Sequence, residues 1–167
     1  MLKKRTTRIK EFKIKQQQSL QILAIDPASI LGWALSNEEY GTWDLRTRKD
    51  ESIGMKLLRL ESKLNEIYEL KRPDIIAYER AAGMHKLSII HQAKLIGIIE
   101  RWCEKKGVQY RAFSATEIKK FATGKGNAGK PKMIEAAKTK LGYAGNDDNE
   151  ADALWILNLC KSELNMQ

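Results

Sequence analysis

Apolar residues recur along this chain with two different periods, and the places where the period changes divide it into elements. Leu20 to Asp26 (LQILAID) is an almost unbroken apolar run, the pattern of a strand buried on both faces. Pro27 and Ala28 end it, and Ile30 to Ser36 (ILGWALS) and Tyr40 to Leu45 (YGTWDL) predict two further strands of a meander. From Ile53 to Leu70 the apolar positions Leu57, Leu60, Leu64 and Ile67 mark one face of a helix. Pro73 opens a connection, and Asp74 to Glu79 (DIIAYE) returns to the pattern of a core strand. A long helix over Leu87 to Lys105 is closed by Gly107, and Val108 to Phe113 forms a fifth strand. Ser114 opens the next helix with the capping box S-A-T-E, in which Ser114 and Glu117 satisfy each other's backbone amides. Two more helices follow, from about Pro131 to Leu141 and from Asp148 to Cys160.

Three strands, then strands alternating with helices, predict an α/β fold. The expected architecture is a mixed five-stranded sheet, a three-strand antiparallel meander plus two parallel strands, flanked by helices. The chain has 167 residues, one domain by length. That domain is expected over residues 19 to 162, with a basic and flexible arm at 1 to 18 and a short tail at 163 to 167. No internal repeat is present.

Charge narrows the function. Hydrophobic residues make up 43% of the chain and charged residues 31%, an ordinary globular balance, but the net charge is +9. An excess of that size points to a polyanion, nucleic acid before anionic membrane; a basic surface kept for solubility is the plainer alternative. The arm MLKKRTTRIKEFKIKQQQ, rich in Lys and Arg with only Glu11 opposing them, suits a phosphate backbone; a plain disordered tail is the other reading, and a mitochondrial transit peptide a third that Glu11 and the low serine content oppose. Cys103 and Cys160 share no metal or disulfide spacing and read as reduced core residues of an intracellular, cytoplasmic protein. No apolar run is long enough to span a bilayer, so no membrane partner is expected.

One loop raises a nucleotide reading. Gly124 to Lys130 (GKGNAGK) fits the first seven places of a phosphate loop. Such a loop needs a strand before it and a Ser or Thr after its lysine to hold magnesium. Here a capped helix precedes it and Pro131 follows. No nucleotide cofactor is expected, and the loop is read as a clamp for some other phosphate.

Acidic residues mark the candidate chemistry. Asp26 ends the first core strand and Glu79 the fourth, at equivalent strand ends, where open sheets form their ligand sites. A carboxylate there is costly unless it is hydrogen-bonded, paired or bound to metal. Further on, in NDDNEADALWI, Asp147 with Glu150 reads as a helix cap and its box partner. Asp148 and Asp152 lie one turn apart on one helical face, separated by about 40°, near the positive helix end. Ala151, Leu154, Trp155 and Leu159 would press this helix onto the sheet.

Taken in order, IDPASILGWAL, IAYER, AFSATEIKKFATGKGNAGK and NEADALWI resemble the RuvC-type Holliday-junction resolvases of the RNase H-like nuclease superfamily. The matching pieces run from about Leu20 to Leu159. The resemblance implies an RNase H-like fold and divalent-metal hydrolysis of DNA. It further implies a homodimer that grips a four-way or branched junction and nicks its strands in pairs. By position it makes Asp26, Glu79 and Asp152 metal ligands, and Lys119 and Lys130 the catalytic cations that approach the cleaved or neighbouring phosphates. Lys125, Lys132, Arg80 and Lys86 are expected to hold the DNA backbone beside them. Two departures stand out. The family's last two acids are usually three residues apart, and Asn149 occupies that place, so either Asp148 replaces it by a shift of one residue, the reading favoured here, or Asn149 serves as a neutral ligand. The stretch after Glu79, RAAGMHK, lacks the family's wedge aromatic; Met84 or His85 stands nearest, the latter read first as an ordinary loop histidine.

Hard carboxylate oxygens without Cys or paired His select Mg2+, with Mn2+ able to substitute, over zinc. Two ions per site are expected, activating a water on one side of phosphorus and stabilising the leaving oxygen on the other. Two alternatives stay open: a nuclease acting on RNA–DNA hybrids, and a DNA-binding protein that keeps the fold without the activity.

Overall fold

A computed structural model describes residues 20–166, so the arm expected over residues 1 to 18 lies outside the described part. Five strands appear: β1 (Ile22–Asp26), β2 (Ile30–Leu35), β3 (Tyr40–Asp44), β4 (Ile75–Glu79) and β5 (Gln109–Phe113). The described helices are α1 (Gly54–Lys71), α2 (Lys86–Lys106), α3 (Ala115–Thr123), α4 (Lys130–Leu141) and α5 (Asp148–Glu163). The sheet order is β3-β2-β1-β4-β5. β1, β2 and β3 pair antiparallel, whereas β4 runs parallel to both β1 and β5. The expected mixed sheet is therefore present, with strand and helix limits within two residues of the sequence reading except at the end of α5, which continues past Cys160.

Side chains alternate across the sheet and sort into two cores. On one face Leu23, Ile25, Leu31 and Leu35 meet Leu60 and Leu64 of α1 and Leu95, Ile99 and Trp102 of α2. Trp102 is buried whole and its indole N–H donates to Asn65 at 2.9 Å, which removes the penalty for burying that polar atom. Truncating one of these leucines to alanine costs about 2–5 kcal/mol through lost burial and the cavity left behind.

The middle of the other face carries smaller residues, Ala24 on β1, Ala34 on β2 and Ala77 on β4, with Ile22, Ile75 and Phe113 around them. The alanines leave room for α5 to lie directly on the sheet. Sequence spacing suggests one apolar stripe on this helix, but Ala153, Ile156, Leu157 and Cys160 are buried as well. α3 and α4 enclose its outer side, with Trp155 donating to the Met133 carbonyl at 3.1 Å. α5 is thus a core helix, and its first turn is fixed by whatever it touches. Both cysteines are free and buried, as expected. Among the described residues no helix is long and apolar enough to cross a membrane.

Candidate active site

Register brings the first two acids together. Ile25 of β1 pairs with Tyr78 of β4, and Asp26 and Glu79 each follow by one residue on adjacent parallel strands. Both continue the side-chain row of Ala24 and Ala77, so both project toward α5. Asp26 is also the cross-strand partner of Gly32 on β2.

The third and fourth acids come from the start of α5. Asp147 caps that helix, accepting from Asn149 N–H at 2.8 Å and Glu150 N–H at 3.2 Å. The capping box expected with Glu150 does not close, because a tyrosine intervenes. The Tyr143 hydroxyl accepts from the Asp147 N–H at 3.0 Å and donates to the Glu150 carboxylate at 2.7 Å. By contrast, the box at Ser114 forms in full, with both reciprocal bonds present. The capped turn then turns Asp148 and Asp152 toward the strand-end acids, where both act on the charge of Asp26.

Burial and mutual repulsion govern the protonation of this cluster. Burial, then the charges of Asp152 and Glu79, push the Asp26 carboxyl well above the usual aspartate range; Lys130 works the other way. Asp152 is pushed up to about 7, first by burial and then by Glu79 and Asp148, against the pull of Lys130 and Lys119. Burial also raises Glu79, with Lys119 opposing it. Lys119 (α3) and Lys130 (first residue of α4) therefore both stand within electrostatic reach of the acids. Lys130 donates directly to the Asp148 carboxylate.

The remaining basic candidates sit around this centre without joining it. Lys125 and Lys132 are exposed near the start of α4, on either side of Gly129, whose N–H groups ahead carry no side-chain cap. Arg80 follows Glu79, its backbone N–H donating to the Phe113 carbonyl at 2.8 Å, and Lys86 begins α2 with its side chain exposed. The glycine loop leads from α3, capped by left-handed Gly124 at φ 78°, into α4, so a helix precedes it and not a strand. This is the geometry that sets it apart from a nucleotide loop.

Three residues near the site escaped the sequence reading. Gly32 faces the start of α5, and a lone glycine inside a strand is a recognised sign of close backbone approach. Tyr143 gives no local signal, since its bonds cross a loop. Lys56 of α1 donates to Ser29 at 2.9 Å, adding a cation beside the turn that follows Asp26.

Comparison with known proteins bears on what this arrangement is. No family model matches the chain. It is 27% identical over 149 residues to the crossover junction endodeoxyribonuclease RuvC of Gloeobacter violaceus, covering 82% of this chain and 85% of that one. With the protein of the same name from Corynebacterium glutamicum it is 29% identical over 116 residues, 69% of this chain, and spans about half (52%) of that relative's length. The structure of Thermus thermophilus RuvC in complex with Holliday junction substrate matches at a TM-score of 0.68 and 20% identity, covering 84% of this chain and 92% of that one. In sequence and in fold the chain is RuvC-like.

Within this RuvC-like frame the two departures take physical form. Met84, nearest the missing aromatic, is 96% exposed at the mouth of α2. Asn149 turns its backbone carbonyl onto Gly32, while Asp148 is the acid that acts on Asp26 and Asp152. Among the described residues no three His, Cys, Asp or Glu side chains close into a ready-made metal cage. The chemistry of the set still fits a hard divalent cation. Desolvated carboxylates from β1, β4 and α5 lack enough positive charge, and Lys130, the one cation bonded to the cluster among the described residues, is 74% exposed and replaceable.

Proposed function

We propose that this chain is a metal-dependent, structure-selective endodeoxyribonuclease that resolves four-way or branched DNA junctions by paired nicking. One observation carries the reading: four carboxylates from three elements lie within electrostatic reach of one another, three of them desolvated, with Lys119 and Lys130 beside them on a strongly basic protein. A surface that only bound DNA would have no reason to collect negative charge in its phosphate groove. The likeness to RuvC over most of the chain supports the same substrate class.

In this reading Asp26, Glu79, Asp148 and Asp152 hold Mg2+, or Mn2+ in its place, as two ions. When bound, such ions supply an activated water and neutralise charge on the leaving 3′ oxygen. The residues of the chain do the rest. Lys130 exchanges its weak, solvent-screened hold on Asp148 for a phosphate oxygen, and Lys119 approaches the same phosphoryl group from α3. Both counter the charge that builds up as water adds to phosphorus and the P–O3′ bond breaks, leaving a 3′-hydroxyl and a 5′-phosphate. Lys125, Lys132, Arg80 and Lys86 hold the flanking backbone. Paired nicking needs two such sites, and the exposed apolar residues Met84, Leu87 and Ile90 around the start of α2 support a second copy of the chain as partner. The protein would then work wherever the cell's DNA is, in the cytoplasm.

Incubation with labelled four-way junction, linear duplex and RNA–DNA hybrid, with and without Mg2+, tests this. Symmetric, Mg2+-dependent nicks in the junction alone are expected. Preferred cleavage of the hybrid, or binding without any cleavage, would replace this reading with a ribonuclease or a binding protein.

A further inference from the structure

The acidic first turn of α5 has to sit at a fixed height above the strand end that carries Asp26. Two contacts set that height, and neither involves an acid of the cluster. Below the turn lies Gly32, the cross-strand partner of Asp26. A Cβ built on Gly32 would overlap the Asn149 carbonyl outright and stand 3.1 Å from the Asn149 Cα. Those atoms are backbone and belong to the first turn of a helix, so they cannot swing aside as a flexible side chain would. Behind the turn stands Tyr143. Its hydroxyl holds the Asp147 N–H at 3.0 Å and the Glu150 carboxylate at 2.7 Å, with the Asp147 carbonyl 3.1 Å away. The ring itself is buried, and its hydroxyl is so tightly covered that a Cβ on Gly145 would collide with it.

We propose that Gly32 and Tyr143 are positioning residues that seat the acidic turn of α5 against the sheet, in register with Asp26. Gly32 lets the turn come down onto the strand by offering bare backbone; Tyr143 stops it from lifting or rotating. Asp148 and Asp152 are one and five residues beyond the cap that Tyr143 holds, so any shift of the cap moves both carboxylates relative to Asp26 and Glu79. Asn149 finds its part here, giving its main-chain carbonyl to the contact with Gly32. The seat deepens the metal reading above and rests on it for the ion titration only.

The test compares Gly32→Ala, Tyr143→Phe and the control Gly41→Ala in the full-length protein. Gly41 lies on the neighbouring strand, and a Cβ there would meet the Trp33 indole at 3.2 Å, away from α5. Two quantities are read: amide exchange over residues 147–152 by mass spectrometry, and Mn2+ affinity by calorimetry. Exchange in that segment is expected to quicken in Gly32→Ala and Tyr143→Phe alone. Mn2+ binding in both should weaken by roughly tenfold or more, the usual effect of removing a group that orients metal ligands. The loss caused by Asp148→Asn should shrink in the Gly32→Ala background, because that ligand is already displaced. A merely destabilising role would lower the melting temperature in all three variants and leave Mn2+ affinity and that coupling untouched. Wild-type exchange and wild-type affinity in both folded variants would overturn the seat. Should Gly32→Ala fail to fold, Tyr143→Phe decides alone, since it removes a single oxygen. Wild-type protein that takes up no Mn2+ would remove the metal reading, and the exchange comparison would still judge the seat.

Discussion

Lys130, the first residue of α4, donates its ammonium to Asp148, the first residue of α5, so the acidic cluster carries a cation of the protein's own. The pair is open to solvent on the lysine side, which makes it weak and exchangeable. Lys130→Ala should therefore lower turnover far more than junction affinity. Mn2+ binding without DNA should stay level or tighten, because a competing cation has gone. Lys119→Ala should also lower turnover, whereas Lys125→Ala should weaken binding alone. Equal effects of all three on affinity, with turnover unchanged, would make the lysines a general clamp.

Removing a strand-end acid should separate binding from cleavage. Asp26→Asn and Glu79→Gln are each expected to abolish nicking while junction binding persists or tightens, since a negative charge next to phosphate is lost. Gel shifts and nicking assays on the same preparations check this, and full activity in either variant would sink the assignment.

Asp148 and Asn149 differ by about 100° around the helix, so only one of them points at the cluster with Asp152. Asp148→Asn should cripple cleavage and raise the Mg2+ concentration needed for half-maximal rate. Asn149→Ala should do little, because its contact with Gly32 is made by a backbone carbonyl that alanine keeps. The reverse pattern in a Mg2+ titration would give the metal site to Asn149.

Protonation of the cluster predicts how stability and metal uptake change with pH. Burial and neighbouring charge raise Asp152 to about 7 and push Asp26 upward, and burial alone moves Glu79 the same way against Lys119. Unfolded, such groups ionise near pH 4. From about pH 4 to about pH 7 the folded state thus holds more protons than the unfolded one, and the metal-free protein loses stability as pH rises through that window. Divalent ions displace the same protons, so Mn2+ affinity should climb over that range, by up to about tenfold per pH unit for each proton released. Melting curves in chelator and Mn2+ calorimetry at pH 5 and 7.5 measure both trends; opposite slopes would refute the coupling.

Salt reports on the backbone contacts. Log K for junction binding should fall by about 0.9 per phosphate contact for each decade of salt on duplex arms. Deleting residues 1 to 18 should flatten that slope and leave the rate at saturation unchanged. An unaltered slope would make the arm a bystander.

Much of this molecule is readable in its residue order, and the limits of that reading have a physical cause. Strand and helix positions follow from period alone, because each apolar residue answers to the face it must bury. Asp26 and Glu79 are legible because an ionised group closing a core strand is anomalous without a partner. The Ser114 box is legible because both of its halves lie within one turn. The Glu150 box is not: the Tyr143 hydroxyl bonds both the carboxylate and the amide it would cap, and that competition is settled by how a loop folds. The same holds for Lys130 with Asp148 and for the partner of Gly32, whose place in a strand signals a close approach but not by what. These contacts join segments far apart in sequence, and no local pattern encodes them.

The unequal padding of the sheet's two faces has a consequence for how the sequence can change. Beneath α1 and α2 the strands offer Leu23, Ile25, Leu31 and Ile76, which can exchange methyl groups with their neighbours and keep the volume filled. Beneath α5 the middle of the sheet offers Ala24, Ala34, Ala77 and the bare Gly32, with little side-chain volume to give up, and Ile22, Ile75 and Phe113 supply the bulk around them. Any enlargement there lifts the helix that carries half the acids. Variation should therefore accumulate on the α1–α2 side and be nearly frozen on the other. A library built to raise thermal tolerance without harming chemistry belongs under the first two helices.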